Sequence, residues 1–195
     1  VALVPFVPEL ATTGNVASIL SNMAPLLVVA IGQTYVLIAG GIDLSQTAVM
    51  GLVSVVTAAL ISSGADEALF GATPLWGGVL STDGGPLAGA GGPGMLVAVL
   101  VGVLVGAAVG LLNGAAVTRL AMPAFMVTLV TLTFFTAVAI WLTRGERIGG
   151  LPLSYLDLGD GAPFHLGPIN ITYAMLVALA VAVLAHLVLA RTVFG

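Results

Sequence analysis

Charge is the scarcest property of this chain: 6% of its 195 residues are charged, against roughly a quarter in soluble globular domains. That is too little to cover a water-facing surface. With 59% hydrophobic residues and a mean hydropathy of +1.22, the class is integral membrane protein. Cysteine is absent, which excludes disulfides, thiolate metal sites and cysteine nucleophiles. Lysine is absent too, since the basic residues are Arg119, Arg144, Arg147 and Arg191. A phosphate loop of the GxxxxGK[ST] type is thereby excluded, so any ATP-driven role implies a separate ATP-binding subunit. No basic patch suggests nucleic acid. There is no HExxH, no GxSxG and no pair of carboxylates on one helix face, so no catalytic, cofactor-binding or metal site is expected.

What is present is long uncharged sequence. No charge lies within 10–42, 44–65, 84–118, 120–143 or 161–190. A spanning helix needs roughly 20 apolar residues. Five segments satisfy this, at about 17–40, 44–62, 94–118, 122–143 and 169–190. Residues 1–7 read as the tail of an earlier span. Runs such as MLVAVLVGVLVGAAVGLL are apolar on every face, whereas barrel strands alternate. The expected fold is therefore all-α, a polytopic transmembrane helical bundle with five to six spans. The chain reads as one transmembrane domain over 1–195, cut at both ends. The connections 63–93 and 144–168 are Gly/Pro-rich and polar, respectively, and read as loops. Parity puts Arg119 and Arg191 on one face, Arg144 and Arg147 on the other. The arginine count is balanced, and Arg119 and Arg191 are assigned inside because both long loops then lie outside. Nothing at the start resembles a signal peptide.

Few polar residues interrupt the spans. In LIAGGIDLSQTAVM, Asp43 in hydrocarbon would cost about 2.5–3.5 kcal/mol on an insertion scale. The flanking residues offer a remedy. Gly40 and Gly41 can end one helix through a left-handed turn, and Asp43 or Ser45 can cap the next. This helix break either joins two spans tightly or lines a cavity, as unwound helices do in transporters. Gln33 and Asn113 lie within spans and suit interhelical hydrogen bonding or a hydrophilic path. Thr128, Thr131, Thr133 and Thr136 are expected to bond their own helix carbonyls. Gly102, Gly106, Gly110 and Gly114 recur every four residues and are expected to form one ridge for close helix packing. His165, His186, Asp157 and Asp160 receive structural or solvated readings.

Three stretches carry a family resemblance: VAIGQTYVLIAGGIDLS (29–45), GLLNGAAVTRLAMPAFMVTLVTLTFF (110–135) and LTRGERI (142–148). Together, in this order, they resemble the permease subunits of bacterial ABC importers for simple sugars, of the ribose and xylose type. The resemblance implies a fold of around ten spans in the bacterial inner membrane, pairing as a dimer with a second permease subunit. It implies ABC ATPase subunits in the cytoplasm and a periplasmic or lipid-anchored sugar-binding protein outside. The solute implied is a monosaccharide, and this chain would hold the front half of the permease domain. Two departures are a longer, Gly-rich 63–93 loop and the missing back half. The rival within the superfamily is a branched-chain amino acid permease. The rival of another class is an ion-coupled secondary transporter, which would favour ionisable residues in mid-span.

Overall fold

The computed structural model describes residues 12–64, 84–166 and 169–192. The start of the chain (1–11), most of the 63–93 loop and the last three residues lie outside the described residues, as do the side chains at 17, 21, 160, 166 and 169. The elements run α1 (Thr13–Ile38), α2 (Gln46–Ile61), α3 (Gly91–Arg119), α4 (Ala124–Thr143), α5 (Leu153–Asp160), β1 (Phe164–Leu166), β2 (Ile169–Ile171) and α6 (Tyr173–Arg191). The fold is all-α and polytopic. Among the described residues, four helices, α1, α3, α4 and α6, are long and apolar enough to cross a membrane. Leu111, Val130 and Trp141 are among many large apolar side chains left exposed, at 78%, 65% and 63%. Such a surface suits lipid or further protein, not water.

Two differences from the sequence expectation have physical causes. The helix in the second span has 16 residues, about 24 Å of rise, which is short of a bilayer's roughly 30 Å hydrocarbon layer. Its apolar run is no shorter than expected, but residues 41–44 are outside helix at one end, and Ser62 leaves it at the other. The last span starts later than expected. Residues 169–171 pair with 164–166 as an antiparallel hairpin, and the helix begins after Thr172, whose side chain accepts from the Met175 N–H at 3.3 Å. The 144–168 connection is thus partly ordered, as α5 and β1.

The contacts divide the chain into two compact units, one of residues 1–35 with 156–195 and one of residues 36–155. In the first, the Tyr35 hydroxyl donates to the Ala185 carbonyl at 2.6 Å, tying α1 to α6. The same unit has an apolar cleft lined by Leu20, Met23, Leu27, Met175 and Leu179. In the second unit, α2 packs on both α3 and α4. It buries Ala48, Leu52, Thr57, Ala58, Ala59 and Ile61.

The glycine ridge behaves differently from the expectation. A Cβ on Gly102 would lie 2.7 Å from Thr57 Cγ2 and 3.0 Å from Val53 Cγ1, so α2 and α3 are in close approach there. Gly106 faces Val49 and Val53 at 3.8 and 4.0 Å, an ordinary contact. A Cβ on Gly110 or Gly114 would meet nothing within 4 Å among the described residues. The reason is helical pitch: a four-residue step overshoots the 3.6-residue turn, so the strip winds off the buried face. That face continues instead through Val109 and Asn113.

Candidate functional site

The break between α1 and α2 is where polar chemistry collects. Gly40 has φ +79. Its N–H donates to the Leu37 carbonyl at 3.0 Å, and the Gly41 N–H donates to the Val36 carbonyl at 2.9 Å. This pair of bonds is a Schellman stop, which needs the left-handed residue that glycine supplies without steric cost. Gly41 then passes close to α4: a Cβ there would stand 3.3 Å from Ala124 Cβ.

Asp43 and Ser45 follow, and neither acts as the expected helix cap. Ser45 holds the N-cap position but bonds no helix amide. The Asp43 carboxylate accepts from the Ser45 N–H at 2.8 Å and from the Ser45 hydroxyl at 2.6 Å, closing a turn ahead of the helix. The Ser45 oxygen in turn accepts from Asn113 Nδ2 at 2.9 Å. A directional chain therefore runs from the α3 carboxamide through the hydroxyl to the carboxylate. Ser45 is 1% exposed and Asn113 7%, so the chain works in a low-dielectric setting where each bond is strong and each omission costly. One omission is visible: among the described residues, Asn113 Oδ1 is buried without a hydrogen-bond partner. From α4, the Thr128 hydroxyl reaches both its own Ala124 carbonyl at 2.9 Å and the Ile42 carbonyl at 3.2 Å. Asn113 stands six residues before the end of α3 at Arg119, so the break lies about 9 Å in from that end.

Of the sequence candidates, the structure brings Gly40, Gly41, Asp43, Ser45 and Asn113 into one cluster. Gln33 belongs to the other unit, half-buried on α1. Asn113 makes an interhelical hydrogen bond here. Thr131 and Thr133 bond carbonyls of their own helix. His186 is exposed on α6.

The far end of α2 carries polar contacts that sequence reasoning missed. Ser62 Oγ donates to the Gly149 carbonyl at 2.8 Å. The Ser63 N–H and hydroxyl both donate to the Gly150 carbonyl, at 2.8 and 2.9 Å. The Tyr155 hydroxyl pairs with Thr57 Oγ1 at 3.2 Å. From the other side, the N–H groups of Gly85 and Leu87 donate to the Ser62 and Leu60 carbonyls at 2.8 and 2.9 Å. Any Cβ at Gly85 would run into the Ala59 and Leu60 carbonyl oxygens. The only signal in the sequence was a pair of serines closing an apolar run. Among the described residues, no group of acids and histidines could hold a metal ion.

Comparison with known proteins gives a consistent picture. The family described as "Branched-chain amino acid transport system / permease component" matches residues 15–195. The ribose import permease protein of Bacillus subtilis is 32% identical over 182 residues, 93% of this chain and 47% of the relative. The autoinducer 2 import system permease protein of Yersinia pseudotuberculosis is 31% identical over 177 residues, 91% and 41% respectively. A probable ABC transporter permease protein of Sinorhizobium fredii is 28% identical over 142 residues, 73% and 34%. The chain thus spans less than half the length of these curated relatives. No solved structure matches it significantly.

Proposed function

The chain belongs to the branched-chain amino acid transport system / permease component family, and from that premise we propose that it is part of the membrane-spanning subunit of an ATP-driven importer for a monosaccharide. One observation carries the reading: relatives named as import permeases for ribose and for autoinducer 2 align over 93% and 91% of this chain. The protein is a multi-pass component of the bacterial inner membrane. It makes and breaks no covalent bond and holds no cofactor. ATP is bound by separate ABC ATPase subunits, a binding protein outside delivers the sugar, and a second permease subunit completes the pathway. Closure of the ATPases shifts the helices between outward- and inward-open packings. Gln33 in one unit and, in the other, the break from Gly40 to Ser45 are each candidates for lining the path. A neutral polyol needs no fixed counter-charge. The carboxylate at the break, Asp43, is already bonded by Ser45. A branched-chain amino acid, the solute named in the family description, would bring an ammonium and a carboxylate into segments with no other charge.

The deciding experiment is uptake by the complete importer reconstituted in proteoliposomes with ATP inside. Labelled monosaccharides are expected to accumulate and leucine is not. Accumulation of leucine alone, or of sugar on an ion gradient without ATP, overturns the reading. The orientation is tested separately. Cysteines replacing Leu120, between α3 and α4, and Glu146, beyond α4, are both at exposed positions. In a cysteine-free background, an impermeant thiol reagent added to intact spheroplasts should label the Glu146→Cys variant and spare Leu120→Cys. Labelling of both from outside would contradict α4 as a span.

A further inference from the structure

We propose that α2 is a coupling rod between the exposed connection 146–155 and the helix break, and that Tyr155 and Asn113 are positioning residues acting through its two ends. Three features of α2 support this. It is deeply held: Ser45 at one end is 1% exposed, and Ile61 and Ser62 at the other are 2% and 0%. Its ends are fixed by side chains, not by lipid. At the break these are Asn113 to Ser45 at 2.9 Å and Thr128 to the Ile42 carbonyl at 3.2 Å. At the loop end they are Tyr155 with Thr57 at 3.2 Å and Ser62 to the Gly149 carbonyl at 2.8 Å. Finally, α2 is one continuous helix of 16 residues containing no proline, so it lacks the commonest cause of a sharp kink, and its one glycine, Gly51, lies in unbroken helix.

A stiff element fastened to one structure at each end passes displacement between them. A pull on residues 149–155 therefore reaches Ser45, and movement of the break reaches Tyr155. Among the described residues the Asn113 oxygen has no hydrogen-bond partner, so this side chain holds the break through its Nδ2 bond to Ser45. The inference rests on the importer reading only for what drives the rod, which is docking outside and ATPase closure inside.

Two measurements on the full-length protein test it. The first is amide hydrogen exchange of the purified protein with Tyr155→Phe, which keeps the ring and removes the Thr57 bond. Exchange at residues 45–49, at the opposite end of α2, is expected to accelerate at least about threefold, although sites that far apart are ordinarily independent. Acceleration confined to 57–64, or none, overturns the rod. The second is a double-mutant cycle in reconstituted uptake, pairing Tyr155→Phe with Asn113→Leu or, should that variant fold poorly, with Thr128→Val. Each single change should lower the maximal rate and leave half-saturation unchanged, and the double variant should be no slower than the worse single. Rates that multiply, or singles at wild-type rate, refute the coupling. A wild-type complex that moves no sugar refutes the importer reading, and the exchange measurement still decides the rod.

Discussion

Gly102→Leu is expected to force α2 away from α3 and to prevent the second unit from assembling. The first atom of any side chain at this position would stand 2.7 Å from Thr57 Cγ2 and 3.0 Å from Val53 Cγ1. Both neighbours are β-branched and on a helix, where one or two rotamers exhaust their choices, so neither can swing aside. Thr57 is further held by its bonds to the Val53 carbonyl at 2.8 Å and the Tyr155 hydroxyl at 3.2 Å. Overpacking costs typically 1–3 kcal/mol, and a leucine on a backbone this close to its neighbour should reach at least about the upper end of that range. Gly110→Leu serves as the control, because a Cβ there would meet nothing within 4 Å among the described residues. Thermal melting of the full-length protein in detergent should show a large drop for Gly102→Leu and, within this unit, little change for Gly110→Leu. Equal losses would mean that the glycines act as one ridge after all.

The second large effect is expected at Ser45. Its hydroxyl is the middle member of the Asn113–Ser45–Asp43 chain, accepting at 2.9 Å and donating at 2.6 Å. Ser45→Ala removes two bonds and leaves the Asn113 carboxamide, whose oxygen is already bare, with no partner at either atom. A buried polar group so stranded costs about 1–3 kcal/mol, more than the average interhelical hydrogen bond of about 0.6 kcal/mol measured in a membrane protein. The excess identifies the cause. Adding Asn113→Leu to Ser45→Ala removes the stranded group and should recover part of the loss in melting temperature. A double variant showing the full sum of the two single losses would sink this account of the cluster.

The sequence disclosed those parts of the architecture that depend on local chemistry. The apolar runs give helices because lipid leaves the backbone no other partner, and Gly40 stops α1 because its left-handed conformation is cheap only for glycine. What stayed hidden depends on contacts between distant residues. Nothing in residues 44–62 marks where within the apolar run the helix begins, since hydropathy registers composition and not where Asp43 takes its hydrogen bonds. Asn113 was visible as a polar residue in a span, but its partner Ser45 lies 68 positions away. Tyr155 and Ser62 gave no warning, because the 149–155 segment meets α2 only once the chain has folded. The four-residue spacing of the glycine strip suggests a single ridge, but the overshoot at each turn sets Gly110 and Gly114 on another face.

The shortness of α2 also bears on how the protein is made. A 16-residue helix flanked by Asp43 and Ser62 is a poor substrate for release into lipid on its own. Yet it leaves the ribosome before α3 and α4, which supply Asn113, Gly102 and Thr128 as its neighbours. Its integration should therefore be delayed at the translocon until those later segments emerge, so that three helices leave the channel as one packet.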